Sequence, residues 1–192
     1  MPRNKSYSDE IVLERAMQVF WSHGYEATTV RMLEKEMSIN QFSIYASFQN
    51  KKNLFIHAMR NYRDYVKKHR FQVLLQEDAG MAELESFLLN AINAKKTGSE
   101  TKGCLVVNTA GEIGSKDCDI SGEVNQYYDF VRDMLKNVLR NAVQKREIPT
   151  DTNIEQQANF FLGVMQSISV ASKTMDINRL TDFISVALSQ IR

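Results

Sequence analysis

Only two prolines, Pro2 and Pro149, stand in the 192 residues of the chain. Proline is the residue that a helix interior excludes most strongly, at a cost of about 3 kcal/mol. Everything from residue 3 to residue 148 is therefore open to helix. Along that stretch and beyond it, apolar residues recur at three- and four-residue steps with no sustained two-residue alternation, the signature of amphipathic helices rather than strands. An all-α fold is expected, and a hydrophobic content of 43% is enough to give it a core.

Start and stop signals divide the chain. Ser8, followed by Asp9 and Glu10, reads as an N-cap with acids in the first turn. Ile11, Val12, Leu13, Ala16, Val19 and Phe20 give that helix its apolar face, and it stops at His23-Gly24, where glycine suits a left-handed C-cap. Thr28-Thr29 opens a second helix that ends about Met37, and Ser38-Ile39-Asn40 is a tight connection to a third, Gln41 to Phe48. A fourth runs from near Asn50 to about Arg70. Further on come Met81 to about Lys96, a polar loop over 97–103, a short apolar segment Cys104–Ile113, and a long helix Asp119–Lys145 closed by Ile148-Pro149. Two more helices, about Asn153–Thr174 and Ile177–Gln190, complete the chain. The expected organisation is a three-helix unit over 1–50, a linking helix over 50–71 and a helical domain over 72–192.

The net charge of +1 conceals an asymmetry. Up to Phe71 there are 12 Lys and Arg against 7 Asp and Glu; beyond it the counts are 12 and 16. A basic segment joined to an acidic one is a usual mark of a nucleic-acid-binding end on a different kind of domain, although a solvated helix face gives the same count.

The pair of short helices supplies a specific reason for that charge. Two helices joined by a tight turn behind a longer supporting helix make a helix-turn-helix, whose second helix enters a major groove about 12 Å wide. The nine residues from Asn40 to Phe48 rise about 13 Å, enough to span it. Ile44 and Phe48 face inward with Ile39, Leu33, Val30 and Phe20, which turns Gln41, Phe42, Ser43 and Tyr45 outward. Gln41 and Ser43 suit base edges or phosphates and Tyr45 offers a phenol to a phosphate. Thr28, Thr29 and Asn40 flank the two helix starts, where phosphate oxygens are favourably held, and Lys51 adds a charge at the start of the fourth helix. Arg3 and Lys5 are a candidate basic arm.

These residues carry a resemblance. Tyr25-Glu26-Ala27-Thr28-Thr29-Val30-Arg31, then Ser38 through Phe48 with its Tyr45-x-x-Phe48, then Lys51-Lys52-Asn53-Leu54-Phe55, resemble the N-terminal domain of TetR-family transcriptional regulators over about residues 8–60. Gly103-Cys104-Leu105-Val106-Val107-Asn108 looks like a stretch found in many members. Ser38, Glu34 and Phe42 depart from the small residues common at those positions, so base preference is not carried over. The resemblance implies a double-stranded DNA partner, a palindromic operator read by a homodimer, and a C-terminal domain that dimerises and binds a small-molecule effector, with repression the usual mode. It implies no cofactor.

For the dimer, about residues 153–190 hold more apolar residues than one buried face needs, including Phe160, Phe161, Phe183 and Val186, and Gly163 would permit close backbone approach. For the effector, Phe87, Asn108, Tyr127, Phe130 and Met165 are the candidate contacts, although aromatic and methionine residues at helical spacing also make plain core. Cys104 and Cys118 leave a second regulatory reading open, thiol-based sensing of oxidants or electrophiles. Cys104 lies at a helix start beside Lys102, which favours the thiolate, whereas Cys118 sits between Asp117 and Asp119.

Enzymatic function has no foothold in the motifs. His23, His57 and His69 are scattered, no His-Glu-x-x-His, P-loop, Gly-x-Ser-x-Gly or Gly-x-Gly-x-x-Gly occurs, and Asp117-Cys118-Asp119 is too short a set for a metal. The first residues lack the apolar stretch of a signal peptide and no run of 18 apolar residues occurs, so a cytoplasmic protein without a membrane partner is expected. A helical scaffold that binds only protein is the rival from another class.

Overall fold

A computed structural model of the chain describes residues 8–93 and 102–191. Arg3, Lys5, the 97–101 part of the polar loop and the end of the expected 81–96 helix lie outside the described residues. Described residues form helices and connections with no strand. The helices are α1 (Asp9–His23), α2 (Val30–Met37), α3 (Gln41–Phe48), α4 (Lys51–His69), α5 (Met81–Asn93), α6 (Leu105–Glu112), α7 (Cys118–Gln144), α8 (Ile154–Ala171) and α9 (Ile177–Ser189).

Caps explain where they begin. Asn50, Asn153 and Asp176 each accept the N–H three residues on, at 2.8, 3.1 and 3.1 Å, and Asp117 accepts from both Asp119 and Ile120. The Ile120 N–H foremost, then the Lys52 ammonium and the Asp119 N–H, hold the Asp117 carboxyl below its usual pKa. α5 is capped from a distance, because the Glu147 carboxylate accepts the Met81 N–H at 2.7 Å. α7 ends at Gln144, ahead of Pro149, through Arg146 in the left-handed region at φ 61°. A side chain there costs about 1–2 kcal/mol that glycine avoids. Arg146→Gly is therefore expected to raise stability by about 1 kcal/mol, read as a higher Tm; an unchanged or lower Tm counts against this account.

α1 lies along α4 and α7 along α8, and one continuous core runs from the first helices to the last. Phe20, Phe55 and Phe161 are its largest fully buried side chains. The inward faces follow the expected spacing with two exceptions. Ile11 is 52% exposed, since the buried stripe of α1 runs through Val12, Ala16, Met17, Val19 and Phe20 instead. Val30, at the first turn of α2, stays half-buried outside the core that Leu33, Ile44 and Phe48 share. Among the described residues no helix is long and apolar enough to cross a membrane.

Candidate nucleic-acid interface and internal cavity

α2 and α3 are each eight residues long and joined through residues 38–40. Ser38 takes φ 57°, the left-handed conformation that turns the chain, and Arg15 of α1 pins it by donating to the Ser38 hydroxyl at 3.0 Å. Asn40 caps α3 by accepting the Ser43 N–H at 2.9 Å, and the Glu34 carboxylate of α2 accepts the Gln41 N–H. Both bonds fix where α3 starts, so the departure at Glu34 is used as a second cap.

The expected contacts divide on this frame. Gln41 and Phe42 are exposed at the start of α3, Phe42 at 83%. Ser43 and Tyr45 are half-buried, Tyr45 packing its ring on the core edge. Thr29 is exposed and caps α2, its hydroxyl accepting the Met32 N–H at 3.2 Å. Thr28 is a correction: it is 1% exposed, and its hydroxyl donates inward to the Gly24 carbonyl at 2.6 Å, so its side chain is a buried tie rather than a DNA contact. Lys51 is half-buried with its ammonium 4.6 Å over the Tyr25 ring and 3.4 Å from the Glu26 carbonyl. Burial lowers its pKa. The neighbouring Lys52 is held by Asp119 at 2.6 Å and Asp117 at 3.4 Å.

Behind this surface lies a cavity of about 660 Å³ between α1, α4, α5, α6, α7 and α8. Of the candidate effector contacts, Phe87, Tyr127 and Met165 line it. Asn108 does not: its amide is spent outside the wall on the Lys102 carbonyl at 2.9 Å and the Lys173 ammonium at 2.6 Å. Phe130 sits behind the wall on Phe71, ring centres 6.0 Å apart, with the Lys67 ammonium 4.5 Å from its ring centre. Residues that sequence reasoning took for core or passed over, Trp21, Tyr62, Tyr65 and Tyr128 among them, do line it. Their spacing on α1, α4 and α7 is that of buried faces, and nothing in the spacing tells a filled interior from a hollow one. Burial pushes the phenols of Tyr62 and Tyr127 well up and that of Tyr128 up, so all three are neutral hydrogen-bond donors at neutral pH. Cys104 is half-buried in the same wall, its sulfur 3.7 Å from the Tyr127 hydroxyl, whereas Cys118 is exposed with its sulfur 3.9 Å from Asp119.

α1 is common to both places. Its Gln18 and Trp21 reach the cavity, and the Trp21 indole N–H donates to the Gly103 carbonyl at 3.0 Å. α6 makes the other link. Its first turn is held on α8 by the Cys104 N–H donating to the Ser169 hydroxyl at 2.8 Å, and its last residue, Glu112, accepts the N–H groups of Tyr25 and Glu26 at 2.9 and 2.7 Å. Gly24 makes room for this carboxylate: a Cβ there would lie 2.8 Å from a Glu112 oxygen. Its φ of 78° and ψ of 176° lie in the extended region open almost only to glycine, not in the left-handed cap expected from His23-Gly24. Arg60 of α4 reaches Glu123 of α7 in a further tie.

On the described residues no group of three or more His, Cys, Asp or Glu could hold a metal ion. An exposed apolar stripe does occur. Phe160 and Val170 are its exposed apolar residues on α8, with half-buried Gly163 and exposed Ser167 between them at helical steps, and Phe183 and Val186 are exposed on α9, Val186 at 61%.

The comparisons with known proteins agree with this geometry. Residues 12–58 match the family model described as bacterial regulatory proteins, tetR family, and residues 80–188 match that of the tetracyclin repressor-like C-terminal domain. Among curated proteins, the chain is 26% identical over 175 residues to the HTH-type transcriptional repressor ComR of Escherichia coli (strain K12), covering 89% of this chain and 82% of that one. It is 26% identical over 191 residues to the HTH-type transcriptional regulator YezE of Bacillus subtilis (strain 168), covering 98% of each. A solved structure of the TetR family transcriptional regulator CifR, a cysteine mutant complexed with 26-bp double-strand operator DNA, superposes with a TM-score of 0.83 at 25% identity over 97% of this chain and 98% of that one. With a helix-turn-helix at one end and a family model matched over most of each part, the chain belongs to the tetR family of bacterial DNA-binding transcriptional regulators.

Proposed function

We propose that the protein is a repressor which binds a palindromic operator as a homodimer and leaves it when a small molecule enters the cavity. In this reading residues 1–50 are the DNA reader, the helix of 50–71 is the lever, and 72–192 carry effector and dimer sites. The observation that carries it is the position of α1: one helix of the reader supplies Gln18 and Trp21 to the cavity wall. A ligand there would press on reader and body at once, favouring a rotated α4 and a spacing of the two α3 helices that no longer matches half-sites about 34–36 Å apart. Gln41, Phe42, Ser43 and Tyr45 are the proposed base and phosphate contacts, with Thr29, Asn40 and Lys51 on the backbone.

The test is operator binding by Tyr45→Phe and Lys51→Met across a salt series. For Lys51→Met a uniform weakening on all sequences and a salt slope shallower by about 1 are expected, and Tyr45→Phe should weaken operator binding about fivefold. Affinities and slopes unchanged in both variants would favour the protein-binding scaffold. Saturating effector must also release the wild-type protein from its operator; affinity unchanged by bound ligand ends the regulatory half of the reading.

A second reading is favoured by one observation, the thiol of Cys104 in the cavity wall. An α,β-unsaturated carbonyl compound entering the cavity would take the Cys104 sulfur at its β-carbon, its C=C π bond breaking and the thiol proton passing to the α-carbon, and the thioether so formed would act as a covalent effector. Cys118 lies on the surface beside Asp119 and is the weaker candidate. If Cys104→Ser and Cys118→Ser together left every regulatory response intact, this reading would be finished.

A further inference from the structure

The cavity wall is uneven in charge. At the end bounded by α1 and α4, the rings of Trp21, Tyr62 and Tyr65 cluster, with Trp21 5.0 Å from Tyr62 and 6.1 Å from Tyr65 between centres. Arg70 and Lys102 stand at the rim of that end; the Lys102 ammonium is 5.6 Å from the Trp21 ring centre. Toward α5 and α8 the wall is made by Phe87, Leu88, Leu162 and Met165 with the uncharged polar side chains of Asn90, Gln166 and Ser169 among them, so that part carries no ionised group. Among the described residues, no Asp or Glu lines the cavity.

An aromatic box accepts either a cation or another ring system, and here the charges decide between them. A ligand ammonium would lose water beside two like charges, with no carboxylate to pair it. A neutral ring system would fill the box but make no use of the two exposed cations at its rim. A ring system bearing one anion does neither, since its charge meets Arg70 and Lys102 in charge-assisted hydrogen bonds while its rings stack on the aromatic cluster. The buried phenols, kept protonated, add O–H donors that an anion can accept.

We propose that the cavity takes an aromatic monoanion, a linked or fused ring pair carrying one carboxylate or ionised phenol, with its rings on Trp21, Tyr62 and Tyr65 and its anion at Arg70 and Lys102. The inference rests on reading the cavity as the effector site, and its volume of about 660 Å³ suits a ligand of that size.

Trp21 is the sole tryptophan of the chain, so its emission reports what enters. The full chain would be titrated with three isosteric probes, 4-biphenylacetate, 4-biphenylethanol and 4-biphenylethylammonium, with excitation at a wavelength where biphenyl does not absorb. The acid should quench saturably with a Kd at least about tenfold below that of the alcohol, and the ammonium should bind most weakly. Arg70→Gln and Lys102→Gln, both at exposed positions that do not threaten folding, should each weaken the acid by about tenfold and leave the alcohol unchanged. Equal or tighter binding of the alcohol or the ammonium, or an acid affinity indifferent to both substitutions, overturns the ligand class and leaves the cavity as an effector site. Emission that no probe of any charge moves overturns both.

Discussion

Replacing Phe20 with alanine is expected to destabilise the protein by about 3–5 kcal/mol and to abolish operator binding at temperatures the wild type tolerates. Phe20 is fully buried, its ring centre 4.8 Å from that of Phe55 in an edge arrangement and 6.4 Å from that of Tyr25. The deletion removes the apolar surface of the side chain and leaves a void, because its ring neighbours Phe55 and Tyr25 are held by different elements and cannot both close in. Phe55 belongs to α4 and Tyr25 to the turn before α2, so the void opens where reader and lever meet. Phe42→Ala is the matched control. The same residue type is lost from a position 83% exposed, and stability should stay within about 0.5 kcal/mol of wild type. Denaturant unfolding of both variants checks this; a loss below about 1 kcal/mol for Phe20→Ala would mean that the pocket around the ring can collapse.

The second large effect concerns assembly. Val186→Glu combined with Phe160→Glu places charges on exposed residues of α8 and α9 and replaces no buried residue; Phe160 does lay its ring edge-on to buried Phe161, centres 5.3 Å apart, so some monomer stability is lost while the fold should be kept, as circular dichroism would check. If that stripe is the dimer interface, two carboxylates and their symmetry mates must lose water inside it, and the variant should sediment as a monomer. A monomer holds one half-site at a time and forfeits the effective concentration of the second reader. Operator affinity should then fall by about 10²–10⁴ while isolated half-site binding is preserved. A variant that remains dimeric at the same concentration would place the interface elsewhere.

Most helix boundaries among the described residues were legible to within a residue or two, because most are local events: Asn50, Asn153 and Asp176 cap with their own side chains, and proline is nearly absent; the exception is the end of α8, at Ala171 rather than about Thr174. The helix-turn-helix was legible for the same reason, its turn and caps lying within a dozen residues. What failed was the direction in which particular side chains face. Thr28 and Thr29 are adjacent and chemically alike, and only the backbone entering α2 decides that one caps and the other is buried. Asn108 and Phe130 lie on helices that do border the cavity, but the roll of α6 and α7 turns them away from it. The cavity itself arises where six helices fail to close, a property of their mutual arrangement that no single helix encodes. Glu112 was invisible for a related reason: its partners, Tyr25 and Glu26, are more than 80 residues away.

The short α6 gives the assembly an internal gauge. It is seated on Ser169 of α8 at one end and on the turn before α2 at the other, a rigid length of about 12 Å between the helix proposed to meet the symmetry mate and the unit proposed to meet DNA. In the proposed dimer, the separation of the two readers is then a sum of a few stiff lengths measured outward from the symmetry axis, with α6 counted once on each side. An error at either seat is doubled at the operator. Tolerance to substitution should accordingly be narrow at Ser169, Gly24 and Glu112, none of which is among the proposed DNA contacts, and wider along the solvent face of α6 between its seats.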